Sequence, residues 1–289
     1  MRVPVRDPFR LDLTADALRR LASNVVDVVG PGGTYYRAVQ DGASPALLAV
    51  RAQRSGLELR ATGARPERWV PVVERLLGTA ADLSEWYRCS SRIEWLQPIS
   101  EALRGLKPPR YPSLWEACAH AIVFQQISIH AAASIMRRAV EALGEPVSDG
   151  RVRCLTFPDA ERWHDADDAL LRGAGLSRNK IGHLRSAAAE FAAGSIAEAD
   201  LQRLSSTEAA RRLCGIRGIG PWSASVILLR GMGRLDVFPM RDSGVARSLA
   251  LLSGDAAIDQ TALLERLGRV RGMLYYHLLL GRLRNLVPV

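Results

Sequence analysis

The sequence predicts an α+β protein: a small N-terminal α/β domain over residues 1–80, then a mainly α-helical region over 81–289. Three observations carry this. Residues 1 to about 65 hold short strand-like runs around the turn cluster Gly30-Pro31-Gly32-Gly33. From Pro66 onward the apolar spacing is helical and stays so. Residues 213–242, LCGIRGIGPWSASVILLRGMGRLDVFPMRD, then set a glycine hairpin between two helical stretches. At 289 residues and 48% hydrophobic content the chain can bury a substantial core.

In chain order, Phe9, Leu11 and Leu13 alternate with Arg10 and Asp12, which predicts a half-buried strand. Residues 14–29 carry a helical pattern, and residues 34–39, 46–50 and 57–60 read as short strands. Helices follow over 67–77, 82–87 and 93–106. The proline-rich connector 106–112 breaks the last of these. Ser113 and Glu116 have capping-box spacing and open the next helix. Phe124-Gln125-Gln126-Ile127-Ser128 interrupts the apolar pattern, and Ser128 is placed to cap a helix over 129–143. Further helices start after Phe157-Pro158-Asp159 and after Gly175-Leu176-Ser177, where Lys180 and Arg185 suit either phosphate contact or a solvated face. The last helices are predicted over 261–267 and 273–286.

The hairpin has a physical reading. Ser205 and Glu208 form a capping box that starts its first helix, and Gly215 can end that helix in the left-handed conformation. In Gly215-Ile216-Arg217-Gly218-Ile219-Gly220 the isoleucines can bury between the flanking helices while the amides turn outward. Pro221 suits the first turn of the second helix. Free amides beside a helix N-terminus bind an anion without base contacts. A net charge of +9 and a pI of about 10.0 make a polyanion, above all a DNA phosphate backbone, the natural partner. Only Lys107 and Lys180 are lysine, so the excess is arginine, suited to bidentate phosphate contacts.

Other chemistries find no support. Cys89, Cys118, Cys154 and Cys214 are scattered without a CxxC pair, so neither zinc nor a disulfide framework is indicated. The five histidines have no metal spacing. No secretory h-region and no bilayer-length apolar run is evident, and an intracellular, cytoplasmic protein without membrane contact is expected, nucleoid-associated in a prokaryote.

These residues carry a resemblance. Ile216-Arg217-Gly218-Ile219-Gly220-Pro221-Trp222-Ser223-Ala224, followed by Asp236-Val237-Phe238-Pro239 and then Asp242, resembles the signature of the helix-hairpin-helix (HhH-GPD) base-excision DNA glycosylases. It is most similar to the DNA-3-methyladenine glycosylase II (alkylpurine glycosylase) branch, whose members commonly have a small N-terminal domain. Gln125-Gln126-Ile127-Ser128 and Gly175-Leu176-Ser177 with Lys180 extend the likeness upstream. The resemblance implies two helical subdomains flanking an active-site cleft. It implies Asp242 as the catalytic carboxylate, Trp222 as a stacking face of the substrate pocket, and Gln126 as the residue filling the gap left by a flipped base. Arg217, Gly218, Ile219 and Gly220 are then the backbone grip. Bifunctional relatives carry a Schiff-base lysine where Trp222 stands. The implied activity is therefore monofunctional excision of alkylated purines such as 3-methyladenine and 7-methylguanine, leaving an abasic site. Some branches hold an iron–sulfur cluster on a C-terminal four-cysteine loop, and no cysteine follows Cys214. No cofactor is expected, beyond room for a structural monovalent cation at the hairpin. The partner is double-stranded DNA with damaged bases, and a monomer is expected.

Each assignment has a plainer counterpart. Asp242 suits an ordinary helix N-cap, Gln126 a solvated kink, and Trp222 a core position. Trp69, Trp86, Trp95, Trp115 and Trp163 read as packing residues, as do Tyr275 and Tyr276. Asp236 reads as a structural ion pair or cap. Val226 and Val270 stand where some relatives have aromatics, which leaves the lesion range open. Two alternatives remain: a non-catalytic helix-hairpin-helix DNA-binding protein, and a glycosylase for deaminated or oxidised bases.

Overall fold

The computed structural model describes residues 1–40, 44–63, 65–253 and 258–286. The last residues of the predicted helical region, 287–289, lie outside the described residues. A five-stranded antiparallel sheet of order β1-β5-β4-β3-β2 forms from β1 (Arg2–Val3), β2 (Asp27–Val29), β3 (Tyr35–Val39), β4 (Ala46–Gln53) and β5 (Gly56–Ala61). Between β1 and β2 lies α1 (Leu11–Arg19). The strand predicted over 9–13 is thus corrected to helix. Leu11, Leu13, Thr14, Ala15, Ala17 and Leu18 all bury, a spacing that wraps a helix and that five alternating residues cannot distinguish from a strand. The helix predicted over 14–29 is also cut short. Asn24 turns the chain by accepting the Val26 and Asp27 amides, and β2 follows.

After β5, a 3₁₀ turn (Pro66–Trp69) leads into α2 (Val70–Leu77), and Gly78 ends it with φ 57°. Then come α3 (Ser84–Ser90), α4 (Gln97–Ala102), α5 (Leu114–Val123) and α6 (Ile129–Leu143). The predicted 93–106 helix survives only as α4, preceded by turns. The Ser113 cap forms, yet its capping box is not completed. Glu116 reaches instead to Arg37 of β3, burying an ion pair between sheet and helix. An unpredicted ribbon, β6 (Pro146–Ser148) and β7 (Arg153–Leu155), packs Cys154, Val147 and Val152 over Tyr36, Ala38 and Leu47. This is why every residue of β3 is buried. The remaining helices are α7 (Ala160–Asp165), α8 (Asp168–Gly173), α9 (Arg178–Ala192), α10 (Glu198–Gln202), α11 (Ser206–Cys214), α12 (Pro221–Ile227), α13 (Ser243–Ser253), α14 (Gln260–Leu267) and α15 (Gly272–Leu283), with a π-helical turn over Leu228–Met232 after α12.

Two hydrophobic cores result. The first joins the inner face of the sheet to α2, α5, α9, α11 and α12. The second gathers α3, α4, α13, α14 and α15, with Leu13 and Ala17 of α1. Trp69, Trp86, Trp115, Trp163, Tyr275 and Tyr276 are all buried in these cores, and half-buried Trp95 packs against the second. Val237 touches both cores, and Phe238 belongs to the second. The segment after the hairpin therefore runs along the seam between them.

Candidate active site and nucleic-acid interface

The hairpin forms as its sequence requires, with one correction. Ser205 and Glu208 complete the reciprocal capping box of α11. Gly215 is right-handed (φ −68°), and the left-handed position is Gly218 (φ +88°). Ile216 and Ile219 are buried, whereas Arg217 and Gly220 are exposed at the tip. The two glycines serve different ends. A Cβ on Gly218 would come within 2.3 Å of the His183 ring of α9, but a Cβ on Gly220 would meet nothing within 4 Å.

A second loop, between α5 and α6, is fastened to this hairpin. Gln125 Nε2 donates to the Gly218 carbonyl and to Ser223 Oγ, each at 2.7 Å. Lys180 Nζ donates to the Val123 carbonyl at 2.5 Å and the Gln125 carbonyl at 2.9 Å, closing the C-terminal end of α5. The phosphate role weighed for Lys180 is corrected accordingly: its ammonium is spent on backbone, and partial burial lowers its pKa. Arg185 is likewise structural, donating to the Ala166 carbonyl and pairing with Asp168. Gln126 is exposed and held at φ +57°. A non-glycine residue in that region costs on the order of 1 kcal/mol or more and is kept only where surrounding contacts enforce it. Here Gln125 and the Ser128 cap of α6 enforce it. Gln125 was missed in the sequence. Its signal was the paired glutamine, but only folding shows which of the two turns inward.

Trp222 and Asp242, 20 residues apart in the chain, meet directly. Trp222 Nε1 donates to Asp242 Oδ2 at 3.0 Å. Asp242 Oδ1 accepts the amides of Gly244 and Val245 at 2.8 and 3.0 Å, so the residue is also the N-cap of α13. The N-cap reading of Asp242 thus holds through Oδ1, while Oδ2 accepts from the indole. The bond also bridges the cores, since half-buried Trp222 packs against the first and α13 belongs to the second. Just before it, Arg241 sits at φ +61° and Met240 is exposed. The guanidinium of Arg282 on α15 lies over Gly244. Asp236 is exposed and forms neither the ion pair nor the cap expected of it among the described residues. Val226 and Val270 are both buried. Among the described residues no group of His, Cys, Asp or Glu could hold a metal ion, and no helix is long and apolar enough to cross a membrane.

A hairpin with Arg217 and Gly220 exposed at its tip, a fastened loop with a strained exposed glutamine, and a carboxylate held at a helix N-terminus together define a helix-hairpin-helix protein with one carboxylate site. Residues 119–271 match the family described as HhH-GPD superfamily base excision DNA repair protein, and the chain belongs to that family. It is similar to the DNA-3-methyladenine glycosylase of Bacillus subtilis (28% identity over 59% of this chain and 56% of the relative). It is also similar to that of Saccharomyces cerevisiae (34% over 51% of this chain and 50% of the relative). The chain spans about half the length of the curated relatives it matches. The solved 3-methyladenine DNA-glycosylase of Archaeoglobus fulgidus shares the fold along nearly the whole chain, with a TM-score of 0.81, 24% identity, and coverage of 97% of this chain and 98% of that one.

Proposed function

We propose that this protein is a monofunctional DNA glycosylase that binds damaged double-stranded DNA, flips out an alkylated purine and hydrolyses its N-glycosidic bond, leaving an abasic site. The observation that carries the reading is the Asp242 carboxylate, held by three N–H groups from two elements on the seam between the cores. A base inside a duplex is out of reach, so the nucleotide must leave the stack. The Gly218–Gly220 hairpin grips the backbone through amides, which positions without reading sequence. Gln126, projecting from its enforced turn, fills the vacated space. Trp222 offers an indole face to the flipped base. As the glycosidic bond breaks, positive charge develops on the deoxyribose, and Asp242 stabilises it from a fixed position. It also orients the attacking water. A base such as 3-methyladenine already carries positive charge, so the leaving group needs no acid partner.

Strand cleavage would require a lysine amine at the sugar. Both lysines are committed elsewhere: Lys180 closes α5, and buried Lys107 donates to the Ala81 carbonyl at 2.8 Å. The reaction needs no cofactor. A structural monovalent cation at the hairpin would share the Gly218 carbonyl with Gln125. The protein acts as an intracellular monomer in this reading. The test is incubation with duplexes each carrying one defined lesion, with and without alkali. We expect release of 3-methyladenine and 7-methylguanine, with strand breaks only after alkali. Excision confined to oxidised or deaminated bases, or a borohydride-trapped protein–DNA adduct, would overturn the assignment.

A further inference from the structure

Behind the Gln125–Gln126 loop lies a small cavity of about 30 Å³ between α1 and the segment that follows it, the end of α5, and α6. Its walls are apolar (Leu18, Val26, Phe124, Met136), but Arg20 and His120 also line it. Arg20 is 7% exposed, at φ +62° just past the end of α1. Its guanidinium lies 4.1 Å from the Phe124 ring centroid, and its buried Nε has no hydrogen-bond partner among the described residues. A ring face softens a buried cation but does not satisfy its donors. The other cations at the rim are already paired: Arg19 with Asp16, and Arg137 with Glu141. His120 is equally buried, and its Nδ1 has no partner.

The charge count points the same way. Among the described residues, the buried ionic groups that act on His120 and on Tyr111, against which it stacks, are the guanidiniums of Arg20, Arg37 and Arg230 and the carboxylates of Asp27 and Glu116. Arg37 joins both acids, and Arg230 faces Tyr111, on which His120 stacks. Three cations against two anions leave positive charge uncompensated even with both acids ionised. Water would satisfy donors but not that charge.

We propose that this cavity is a binding site for a small monovalent inorganic anion of halide size, held by the Arg20 guanidinium and His120 Nδ1. Room for about two waters, at 10–15 Å³ each, is room for one chloride. The anion selects the Nδ1–H tautomer of His120, a ring that burial and the nearby guanidiniums keep neutral. Because Phe124 forms one wall and leads directly into Gln125, an occupied site braces the DNA-facing loop from behind. The site plays no part in the excision chemistry and stands independently of it.

Bromide is the probe. Crystals soaked in sodium bromide and measured at the bromine edge should show an anomalous peak in the cavity against Arg20, and crystals of Arg20→Leu should lack it. In solution, replacing chloride by gluconate at equal ionic strength should lower the wild-type Tm by roughly 3 °C for a site held at tenfold excess over its Kd. The Arg20→Leu protein should lose that response. A cavity holding only water in molar bromide, or the same Tm response in the variant, would overturn the proposal. Should Arg20→Leu fail to fold, the bromide map of the wild-type protein decides alone.

Discussion

Four residues show how far the chemistry of a single position reaches. Asp242→Asn is the direct test of the carboxylate, and its geometry makes the outcome specific. Asparagine has one oxygen, which can cap α13 or accept from Trp222 but not both. Its amide would face the indole N–H donor to donor, at a cost of about 1–3 kcal/mol. The same change in a Trp222→Phe background has no such conflict. We expect Asp242→Asn to lower excision about a hundredfold or more in both backgrounds while damaged-duplex binding holds. Near wild-type excision in Trp222→Phe/Asp242→Asn would make Asp242 only a cap. The hairpin glycines separate in the same way. Gly218→Ala forces a side chain against His183 at positive φ and should destabilise the fold by more than about 1 kcal/mol. Gly220→Val fits open space, should leave the Tm within a degree or two of wild type, and should weaken binding to damaged and undamaged duplexes alike. Equal duplex affinity in the Gly220 variant would remove the hairpin from the interface. The fourth residue is His277, buried, with Nδ1 facing the Met273 carbonyl and Nε2 accepting from Trp86. Burial lowers its pKa to about 4 from 6.5. The unfolded chain therefore binds the proton more readily. Stability from this group is complete above pH 6.5 and is lost as pH falls toward 4, a change of about 3 kcal/mol. His277→Gln keeps an acceptor for Trp86 without titrating. Urea melts at pH 7, 6, 5 and 4 should show the wild type losing stability relative to it, and parallel curves would contradict the assignment.

Among the elements, what was legible in the sequence was what local chemistry decides. Ser113, Ser128 and Ser205 cap the helices expected of them, and Ser177 caps the helix expected after it, because a cap needs only residues within one turn. The hairpin and the spacing to Asp242 were equally readable. What failed depends on distant partners. α1 looked like a strand because its burying partners, α2, β2 and α15, lie elsewhere in the chain. Glu116 left its capping box for Arg37, 79 residues away. The fastening of the α5–α6 loop also escaped notice, since Gln125 reaches Gly218 across 93 residues. That fastening makes a prediction of its own. Gln125→Leu cuts the loop from the hairpin while Lys180 still closes α5. The left-handed turn at Gln126 then loses an enforcing contact, and the cost appears when a base must be displaced. Excision from a fully paired lesion should fall about tenfold or more, whereas the same lesion in single-stranded DNA, with no gap to fill, should be processed nearly as before. Equal losses on both substrates would point to general disruption instead.

Across the whole molecule, the N-terminal sheet is not an appendage. The first core runs unbroken from Val3 and Leu59 of the sheet to Leu213 and Ile227 of the hairpin helices, and α1 contributes to both cores. Arg37 of β3 holds Asp27 of β2 and Glu116 of α5 together, all three at 3% side-chain exposure or less. Burial also raises the pKa of Glu116 to about 7. Desolvation makes such a network a weak source of net stability, but breaking it strands the remaining charges. Arg37→Met should therefore cost about 3–5 kcal/mol, more than a surface arginine change by an order of magnitude. Because sheet and helices share one core, that loss cannot be confined to the sheet. Thermal unfolding followed by tryptophan fluorescence, which reports mainly on the helical cores, and by far-UV circular dichroism should shift together in the variant and give coincident transitions. If the sheet melts first in Arg37→Met, while excision and the fluorescence transition hold, the N-terminal region is a separate domain docked on a self-sufficient helical core.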